Sequence, residues 1–286
     1  MRNIKVKTFK VLNSTMKTLF EKVRFYYHQR YWPNIKNPRT FNEKLIHRKL
    51  IAKDDSFATY SDKVKVKNII GELIGEQYII KTIATFKTVT LSDLQSIPTP
   101  FVVKCNHDSG SVKVITEKAQ IDSKLVGFLN ERLNYCTSLN TNEYWYADIE
   151  RLIMVEEYLQ PDDNKKVPED YKFHVFNSGK VFLQIDYGRF EEHSRSIFDE
   201  TGELIDVEIN CVNKKVKFFK PNNYDKMVEL AKLIARKIDC EYVRVDFYNV
   251  NGFIYFGEVT FAHGAGFEKF TPRAVDMDWG SFWITN

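Results

Sequence analysis

The chain has 286 residues, 43% of them hydrophobic and 14% aromatic, so it can bury a sizeable core and disorder is excluded as its default state. Its formal net charge is only +4. The four cysteines show no C-x-x-C spacing and no nearby histidine at metal-ligand spacing. We therefore expect neither a zinc site nor a disulfide framework, and a reduced, cytoplasmic setting.

Positive charge is concentrated at the N-terminus. Residues 1–31 contain eight lysines and arginines but a single acid, Glu21. Apolar residues recur at helical spacing between Phe9 and Tyr27, which predicts an amphipathic helix with a basic opposite face. Such a face is either merely solvated or attracts an anionic membrane, a polyanionic glycan or nucleic acid. No apolar run is long enough to cross a bilayer, so any membrane contact would be peripheral, at the inner face of the cell membrane.

The following segments are also predicted to be helical, giving a helical N-terminal region over residues 1–60. Thr40 followed by Glu43 is a capping box that begins a helix running through Leu50. Ser61 is predicted to cap a further helix, whose apolar positions are Val66, Ile69, Ile70 and Leu73.

A first lobe of mixed structure is predicted over residues 61–159. Two β-rich runs, residues 101–104 and 112–115, flank a polar loop and therefore predict a hairpin. A helix is expected near residues 123–135. An apolar strand then begins at Leu152 and breaks at the acids 156 and 157.

A second lobe is predicted over residues 160–286, which makes the fold class α+β. The turn Asn177-Ser178-Gly179 separates two β runs and indicates a tight hairpin. A helix is predicted from Tyr224 to Ile238, and two further strands over residues 242–248 and 253–259.

The strongest chemical signal lies on these last two strands. Arg244 and Asp246 share one face of the first strand, and Glu258 and Thr260 share one face of the next. Two carboxylates, a hydroxyl and a guanidinium can thus converge on one spot. The oxygen atoms are of the kind that bind Mg²⁺, and the guanidinium can neutralise charge on a transferring phosphoryl group. The alternative is a hairpin whose polar face is merely solvated.

Two weaker signals point to a nucleotide. Lys104 ends a strand just before a loop with Ser109, Gly110 and Ser111, where an ammonium and backbone N–H groups can hold phosphates. The loop is not a Walker A motif and taken alone is an ordinary turn. The strand that breaks at Glu157 can offer backbone groups to adenine and a carboxylate to ribose or to the adenine amino group.

Together these elements resemble the ATP-grasp superfamily, from about Ser61 to the C-terminus. The resemblance implies two α+β lobes that sandwich ATP, preceded by the helical region. It makes Lys67 and Lys104 the ATP lysines, with Lys172 also on the phosphates. The loop over the phosphates would be Asp108, Ser109, Gly110 and Ser111; the adenine hinge Glu156, Glu157, Tyr158 and Leu159; and the ribose acid Asp162 or Asp163.

The same resemblance makes Arg244 the phosphate-binding arginine and Asp246 and Glu258 the Mg²⁺ carboxylates. Thr260 departs from the family pattern, which usually has asparagine there, and a hydroxyl is a weaker ligand. Arg244, Lys172 and Arg189 are the expected catalytic residues.

A closer resemblance is to the TupA-like, teichuronopeptide-biosynthesis branch of ATP-grasp proteins. It rests on residues 31–44, 170–173 and 184–189. It implies an ATP- and Mg²⁺-dependent ligase that joins an amino acid or other amine to a carboxylate of an envelope glycan, with no nucleic-acid partner. The residues expected to contact the acceptor are Arg189, His193 and Arg195, a cationic cluster, and His263, Gly264 and Gly266, although His263 also fits a plain turn.

Two other classes compete with a ligase. A glycosyltransferase of surface polysaccharide biosynthesis would need a D-x-D pair, and the carboxylates so spaced, Asp276 and Asp278, lie near the C-terminus beside Trp279. A non-catalytic glycan-binding or membrane-surface protein would need only the basic helix and the aromatic residues. In that case, substitution of Glu258 would leave its activity intact.

Overall fold

A computed structural model of the protein describes residues 14–161, 168–187 and 193–285. Its helices are α1 (Ser14–Gln29), α2 (Phe41–Leu50), α3 (Ser56–Ser61), α4 (Lys65–Ile74), α5 (Leu91–Ser96), α6 (Ser123–Arg132), α7 (Thr137–Thr141), α8 (Tyr224–Ile238) and α9 (Ala274–Phe282). Its strands are β1 (Thr82–Phe86), β2 (Phe101–Cys105), β3 (Lys113–Ile115), β4 (Ile153–Glu157), β5 (Glu169–Phe176), β6 (Val181–Tyr187), β7 (Ser194–Asp199), β8 (Leu204–Ile205), β9 (Glu208–Ile209), β10 (Tyr242–Val250), β11 (Phe253–Thr260) and β12 (Phe270–Thr271).

The strands form two principal antiparallel sheets. The small sheet has the order β1-β4-β2-β3, and the large sheet has the order β11-β10-β5-β6-β7-β8. The short strands β9 and β12 pair separately. This arrangement confirms the α+β fold class.

Each sheet has its own core. The small sheet packs on α5 and α6 through buried residues that include Val103, Val155 and Leu129. The large sheet packs on α8, whose buried positions Met227, Leu230, Ala231, Ile234 and Ile238 confirm the predicted inward face. Helices α2, α4 and α9 add side chains to the same large core.

Of the two helix N-caps predicted from the sequence, one is present and one is not. The capping box of Thr40 and Glu43 is present at the start of α2, as predicted. The prediction that Ser61 caps a helix is wrong, because Ser61 is the last residue of α3. The Asp62 carboxylate instead accepts a hydrogen bond from the Val64 N–H at 2.9 Å, and α4 begins directly afterwards.

A buried ion pair fixes α1 to the rest of the protein. Glu21 of α1 lies 3.0 Å from the Lys49 ammonium of α2, and neither side chain is accessible to solvent. Lys49 also donates to the carbonyl groups of Thr141, at 2.9 Å, and Ala265, at 2.7 Å. These contacts hold α2 against the loop that follows β11, so the N-terminal helices position one end of the large sheet.

The predicted N-terminal helix is present as α1, which begins at Ser14; the earlier part of that prediction, from Phe9, lies outside the described residues. Among residues 14–161, 168–187 and 193–285, no helix is long and apolar enough to cross a membrane.

Gly280 allows α9 to lie directly against the chain that leads into α2. A Cβ atom at this position would lie 2.0 Å from the Arg39 carbonyl oxygen and 2.9 Å from the Phe41 nitrogen. Backbone atoms cannot move aside as a flexible side chain can. We expect Gly280→Ala to lower the free energy of unfolding by about 3 kcal/mol, as measured by urea denaturation.

Gly127→Ala is the matched control, because Gly127 lies on the exposed side of α6 and a Cβ there meets no atom within 4 Å. The control should gain roughly 0.5–1 kcal/mol, since alanine is the better helix former. Equal effects of the two substitutions would contradict the close packing of α9 on α2.

Glu143 is a buried carboxyl between α7 and β4, and its burial raises its pKa to about 7 in spite of nearby Lys49. The unfolded pKa is lower, about 4.3, so the folded state binds the extra proton between these values. Folding stability therefore falls as pH rises from about 4.5 to about 7. In Glu143→Gln this fall should be smaller by about 2 kcal/mol when urea unfolding is compared at the two ends of that range. If the pH dependence of the free energy of unfolding were the same in Glu143→Gln as in the native protein, the raised pKa of Glu143 would be contradicted.

Candidate nucleotide and metal site

One face of the large sheet carries a continuous layer of polar side chains. On β10, Arg244 and Asp246 alternate with the buried apolar residues of the opposite face. The strand register places Lys172 opposite Asp246, and Gln184 opposite Lys172. Because cross-strand partners share a face, these side chains from β10, β5 and β6 lie side by side.

The four residues predicted on β10 and β11 converge as expected. Arg244 makes a bidentate ion pair with Asp246, with both nitrogen-oxygen distances at 2.7 Å. Its Nη2 also lies 3.0 Å from Glu258 Oε1. Thr260 donates weakly to the same Glu258 oxygen, at 3.5 Å. The guanidinium is thus held between two carboxylates, with a hydroxyl at one edge.

The two carboxylates differ in their titration. Burial raises the pKa of Asp246 to about 6, against the opposing effect of Arg244 and Lys172. Burial also acts to raise the pKa of Glu258, but Lys63 and Arg244 outweigh it and lower that pKa to about 2. The cations around the site therefore hold Glu258 ionised at neutral pH.

The donor set suits Mg²⁺ bound together with a nucleotide. In the described part of the chain, no three His, Cys, Asp or Glu side chains are grouped as a metal centre. Mg²⁺ in nucleotide enzymes is usually bound by only one or two carboxylates plus substrate phosphates. Asp246 and Glu258 match that requirement, and Thr260 supplies a neutral oxygen beside them.

Lys63 also lies at the site, which its sequence pattern alone does not indicate. Its ammonium lies 3.6 Å from Glu258 Oε2 and donates to the Asp108 carbonyl oxygen at 2.9 Å. It therefore bridges the loop of the small sheet and the carboxylate of the large sheet. The sequence feature that could have indicated Lys63 is its position directly after Asp62. The Asp62 carboxylate accepts hydrogen bonds from the Asn106 side chain, at 2.8 Å, and from the Val64 N–H just before α4.

The predicted ATP lysines of the first lobe meet at one buried carboxylate. Lys67 and Lys104 both form ion pairs with Glu156, the second at 2.5 Å. Burial opposes ionisation of Glu156, but Lys104 and Lys67 together hold its pKa below the ordinary value. Burial lowers the pKa of Lys67 despite Glu156. The Glu156 carboxylate thus lies against the lysines, at the inner end of the expected hinge.

The rest of the expected hinge follows as β4 ends. Glu157 is exposed, and its backbone N–H donates to the Lys81 carbonyl oxygen at 3.0 Å. Tyr158 and Leu159 are half-buried. Asp162 and Asp163, the expected ribose acids, lie outside the described residues.

The loop after β2 is held in place by hydrogen bonds of Asp108 and Ser111, two side chains that were expected to contact phosphate. Asp108 accepts hydrogen bonds from Arg132 Nε, at 2.7 Å, and from the Ser111 hydroxyl, at 2.5 Å. The Ser111 oxygen in turn accepts the Cys105 N–H at 2.7 Å. Ser109 and Gly110 form the exposed tip, so they are the loop residues best placed to meet a ligand.

A chain of hydrogen bonds and ion pairs extends from Arg244 to the expected acceptor residues. The Arg244 Nη1 donates to His263 Nδ1 at 2.9 Å, so His263 is neutral with its proton on Nε2, 2.5 Å from Glu268. Burial also lowers the pKa of His263. Glu268 then pairs with Arg195 at 3.0 Å, and Arg195 pairs with Asp186 at 2.7 Å.

The residues expected to contact the acceptor differ in their exposure to solvent. Arg195 is buried between two carboxylates, whereas His193 is partly exposed, with Nε2 3.4 Å from Asp186. Gly264 and Gly266 have positive φ angles of 54° and 78°, which shape the turn that follows β11. Arg189 lies outside the described residues.

Lys172 lies at the centre of the polar face. It pairs with Asp170, lies 3.6 Å from Asp186 and lies 4.0 Å from Asp246. By contrast, Asp276 of the D-x-D alternative is buried in α9 and accepts the Asn42 N–H at 2.9 Å, which is a structural role.

Two antiparallel sheets, with lysines beside the first and an arginine and two carboxylates on the second, agree with the expected ATP-grasp fold. The family model described as TupA-like ATPgrasp matches residues 43–283. The chain therefore belongs to the TupA-like ATP-grasp family, which confirms the expected family and fold.

Solved ATP-grasp structures resemble the chain only distantly. The D-alanine–D-alanine ligase from Bacillus anthracis complexed with ATP is 15% identical over 71% of this chain and 53% of its own, with a TM-score of 0.39. The L-amino acid ligase from Bacillus licheniformis is 14% identical over 79% and 49%, with a TM-score of 0.45. The ATP-grasp ligase PsnB, complexed with a precursor variant, Mg and ADP, is 10% identical over 72% and 52%, with a TM-score of 0.39.

The chain thus spans about half the length of each of these solved proteins. No curated protein matches its sequence significantly. The assignment rests on the family match.

Glu156 should be essential to the stability of the first lobe, because its removal leaves two lysines without their shared partner. We expect Glu156→Gln to lower the free energy of unfolding by about 3 kcal/mol in urea denaturation. The neighbouring exposed Glu157→Gln is the control and should stay within about 0.5 kcal/mol of the native protein. Similar values for both variants would show that the buried ion pairs do not stabilise the lobe.

Proposed function

We propose that the protein is an ATP-dependent carboxylate-amine ligase that acts through an acyl phosphate and releases ADP and phosphate. The observation that carries this proposal is the approach of a lysine-rich side of the molecule to Arg244, Asp246 and Glu258. Lys67 and Lys104 meet at Glu156, and Lys63 reaches Glu258 itself. Lys63 contributes most directly, because it lies 3.6 Å from Glu258. Family membership supports the same reaction class.

ATP would lie between the two sheets. Lys63, Lys67 and Lys104 would hold its phosphates from one side and Lys172 from the other. The exposed tip of the loop after β2, formed by Ser109 and Gly110, would cover the phosphates. Asp246 and Glu258 would hold Mg²⁺, which neutralises charge on the phosphates when it is bound. The segment from Glu157 to Leu159 would border the adenine.

The acceptor carboxylate oxygen attacks the γ-phosphorus, the bond to the bridging oxygen breaks, and ADP leaves. The amine nitrogen then attacks the carbonyl carbon, the bond to the phosphate oxygen breaks, and the amine loses a proton. Arg244 faces the negative charge that develops in the first step. Its orientation is fixed in advance by Asp246 and His263, so little reorganisation is needed as charge develops.

The proposed acceptor is a carboxylate of a capsular or wall polysaccharide, and the donor nucleophile is an amino acid or other amine. The exposed His193, together with Arg189, would bind the anionic glycan, while Arg195 organises the pocket through Asp186 and Glu268. Because such glycans are assembled at the cell envelope, we propose that the protein is cytoplasmic and makes peripheral contact with the inner face of the membrane.

The reaction is tested by ADP release from the purified protein with ATP and Mg²⁺, across a panel of uronic acids and amines. Hydroxylamine should trap the activated carboxylate as a hydroxamate. Arg244→Gln should lower kcat/KM at least about 100-fold, because it removes charge stabilisation in the first step. Arg236→Gln, an exposed position on α8, should leave kcat/KM unchanged.

Nucleotide sugars serve as the competing substrates in the same assay. Transfer from a nucleotide sugar without ADP release, or hydroxamate formation that Arg244→Gln does not reduce, would contradict the proposal.

A further inference from the structure

Helix α1 turns an apolar face away from the protein. Glu21, Phe25 and Gln29 recur every fourth residue and are buried against the rest of the chain. Leu19, Val23, Tyr26 and Tyr27 follow the spacing i, i+4, i+7 and i+8, which is a single stripe on the opposite side of the helix. Leu19 is 59% exposed and Tyr27 is 66% exposed. An amphipathic helix of a soluble protein normally buries such a stripe.

Aromatic residues extend this stripe beyond the end of α1. Trp32 is 57% exposed, and its ring stacks on Tyr26 with a centroid distance of 5.0 Å. Arg30 lies over the Tyr27 ring at 5.2 Å. Tryptophan and tyrosine combine an apolar ring with a polar group, which is why they collect at the interface between lipid and water.

The charged residues of α1 and its following turn that border the stripe are cations. Lys17 and Lys22 flank it, and Arg30 is exposed at its end. Glu21, the single acid of residues 1–31, points inward and is neutralised by Lys49 and Arg24. In sequence, residues 1–13 add four more lysines and arginines and no acid. An apolar stripe bordered by cations complements an anionic lipid surface.

We infer that this outward stripe, formed by Leu19, Val23, Tyr26, Tyr27 and Trp32, is a docking surface for an anionic lipid bilayer. The helix would lie in the plane of the interface, with its apolar side chains among the acyl chains and its lysines at the headgroups. This inference deepens the membrane contact in the proposed function and rests on it. The outward stripe of α1 would be the face that meets the lipid, and the bordering cations would select anionic headgroups.

The test is sedimentation of the full chain with vesicles of phosphatidylcholine alone and of phosphatidylcholine mixed with phosphatidylglycerol. We expect binding to the mixed vesicles only, weakened by added salt. Lys17→Gln with Lys22→Gln should reduce the partition constant about 30-fold, at about fivefold per cation removed. This surface-charge pair leaves the apolar packing of α1 untouched.

Leu19→Ser with Tyr27→Ser should reduce partitioning at least about tenfold, because two apolar side chains no longer enter the bilayer. The matched control is Val212→Ser with Phe219→Ser, which removes side chains that are 68% and 82% exposed elsewhere on the surface. The control should partition as the native protein does.

Three results would overturn the inference: no vesicle binding, equal binding to both lipid compositions, or a self-associated native protein that becomes monomeric in the stripe variant without ever binding lipid. The last result would make the stripe an interface between two copies of the chain. ATP-dependent thermal stabilisation, measured on the same variants, should equal that of the native protein. A failure of the ligase proposal would therefore be seen separately from a failure of membrane docking.

Discussion

The bidentate ion pair between Arg244 and Asp246 organises the polar face of the large sheet. A guanidinium buried on a sheet is costly unless its donors are satisfied, and here Asp246, Glu258 and His263 satisfy them. Each of these partners needs a partner in turn, so the pairing extends through Glu268 to Arg195 and Asp186. This one buried cation thus orders a series of polar and charged side chains across the sheet.

The small sheet and the start of helix α4 present the complementary half of the charge pattern. Lys67 and Lys104 share Glu156, and Lys63 reaches across to Glu258. Nucleotide phosphates would compete with these carboxylates for the lysines, and a divalent cation would compete with Lys63 and Arg244 for Glu258. If nucleotide and metal bind as proposed, the two together would exchange partners within the site, whereas either one alone would leave charges poorly matched.

Sequence patterns were sufficient where the determinants are local. The period of two on β10 and β11 brought Arg244, Asp246, Glu258 and Thr260 together because adjacent antiparallel strands fix which residues face each other. Pairs formed across long separations were not predictable. Asp108 is held by Arg132, 24 residues away, and Arg195 by Glu268, 73 residues away, and no local pattern encodes either contact. The role of Lys63 was not predictable for the same reason, since it depends on Glu258 of β11, 195 residues away.

The proposed role of Asp246 and Glu258, which is to bind the metal that accompanies ATP, can be measured by calorimetric titration with ATP. With Mg²⁺ present, the native protein should bind ATP in the micromolar range. Without Mg²⁺, or in Glu258→Gln with Mg²⁺ present, the affinity should fall at least about tenfold, a cost of about 1.4 kcal/mol. Equal affinity of the native protein and Glu258→Gln, in the presence and absence of Mg²⁺, would exclude this role for the two carboxylates.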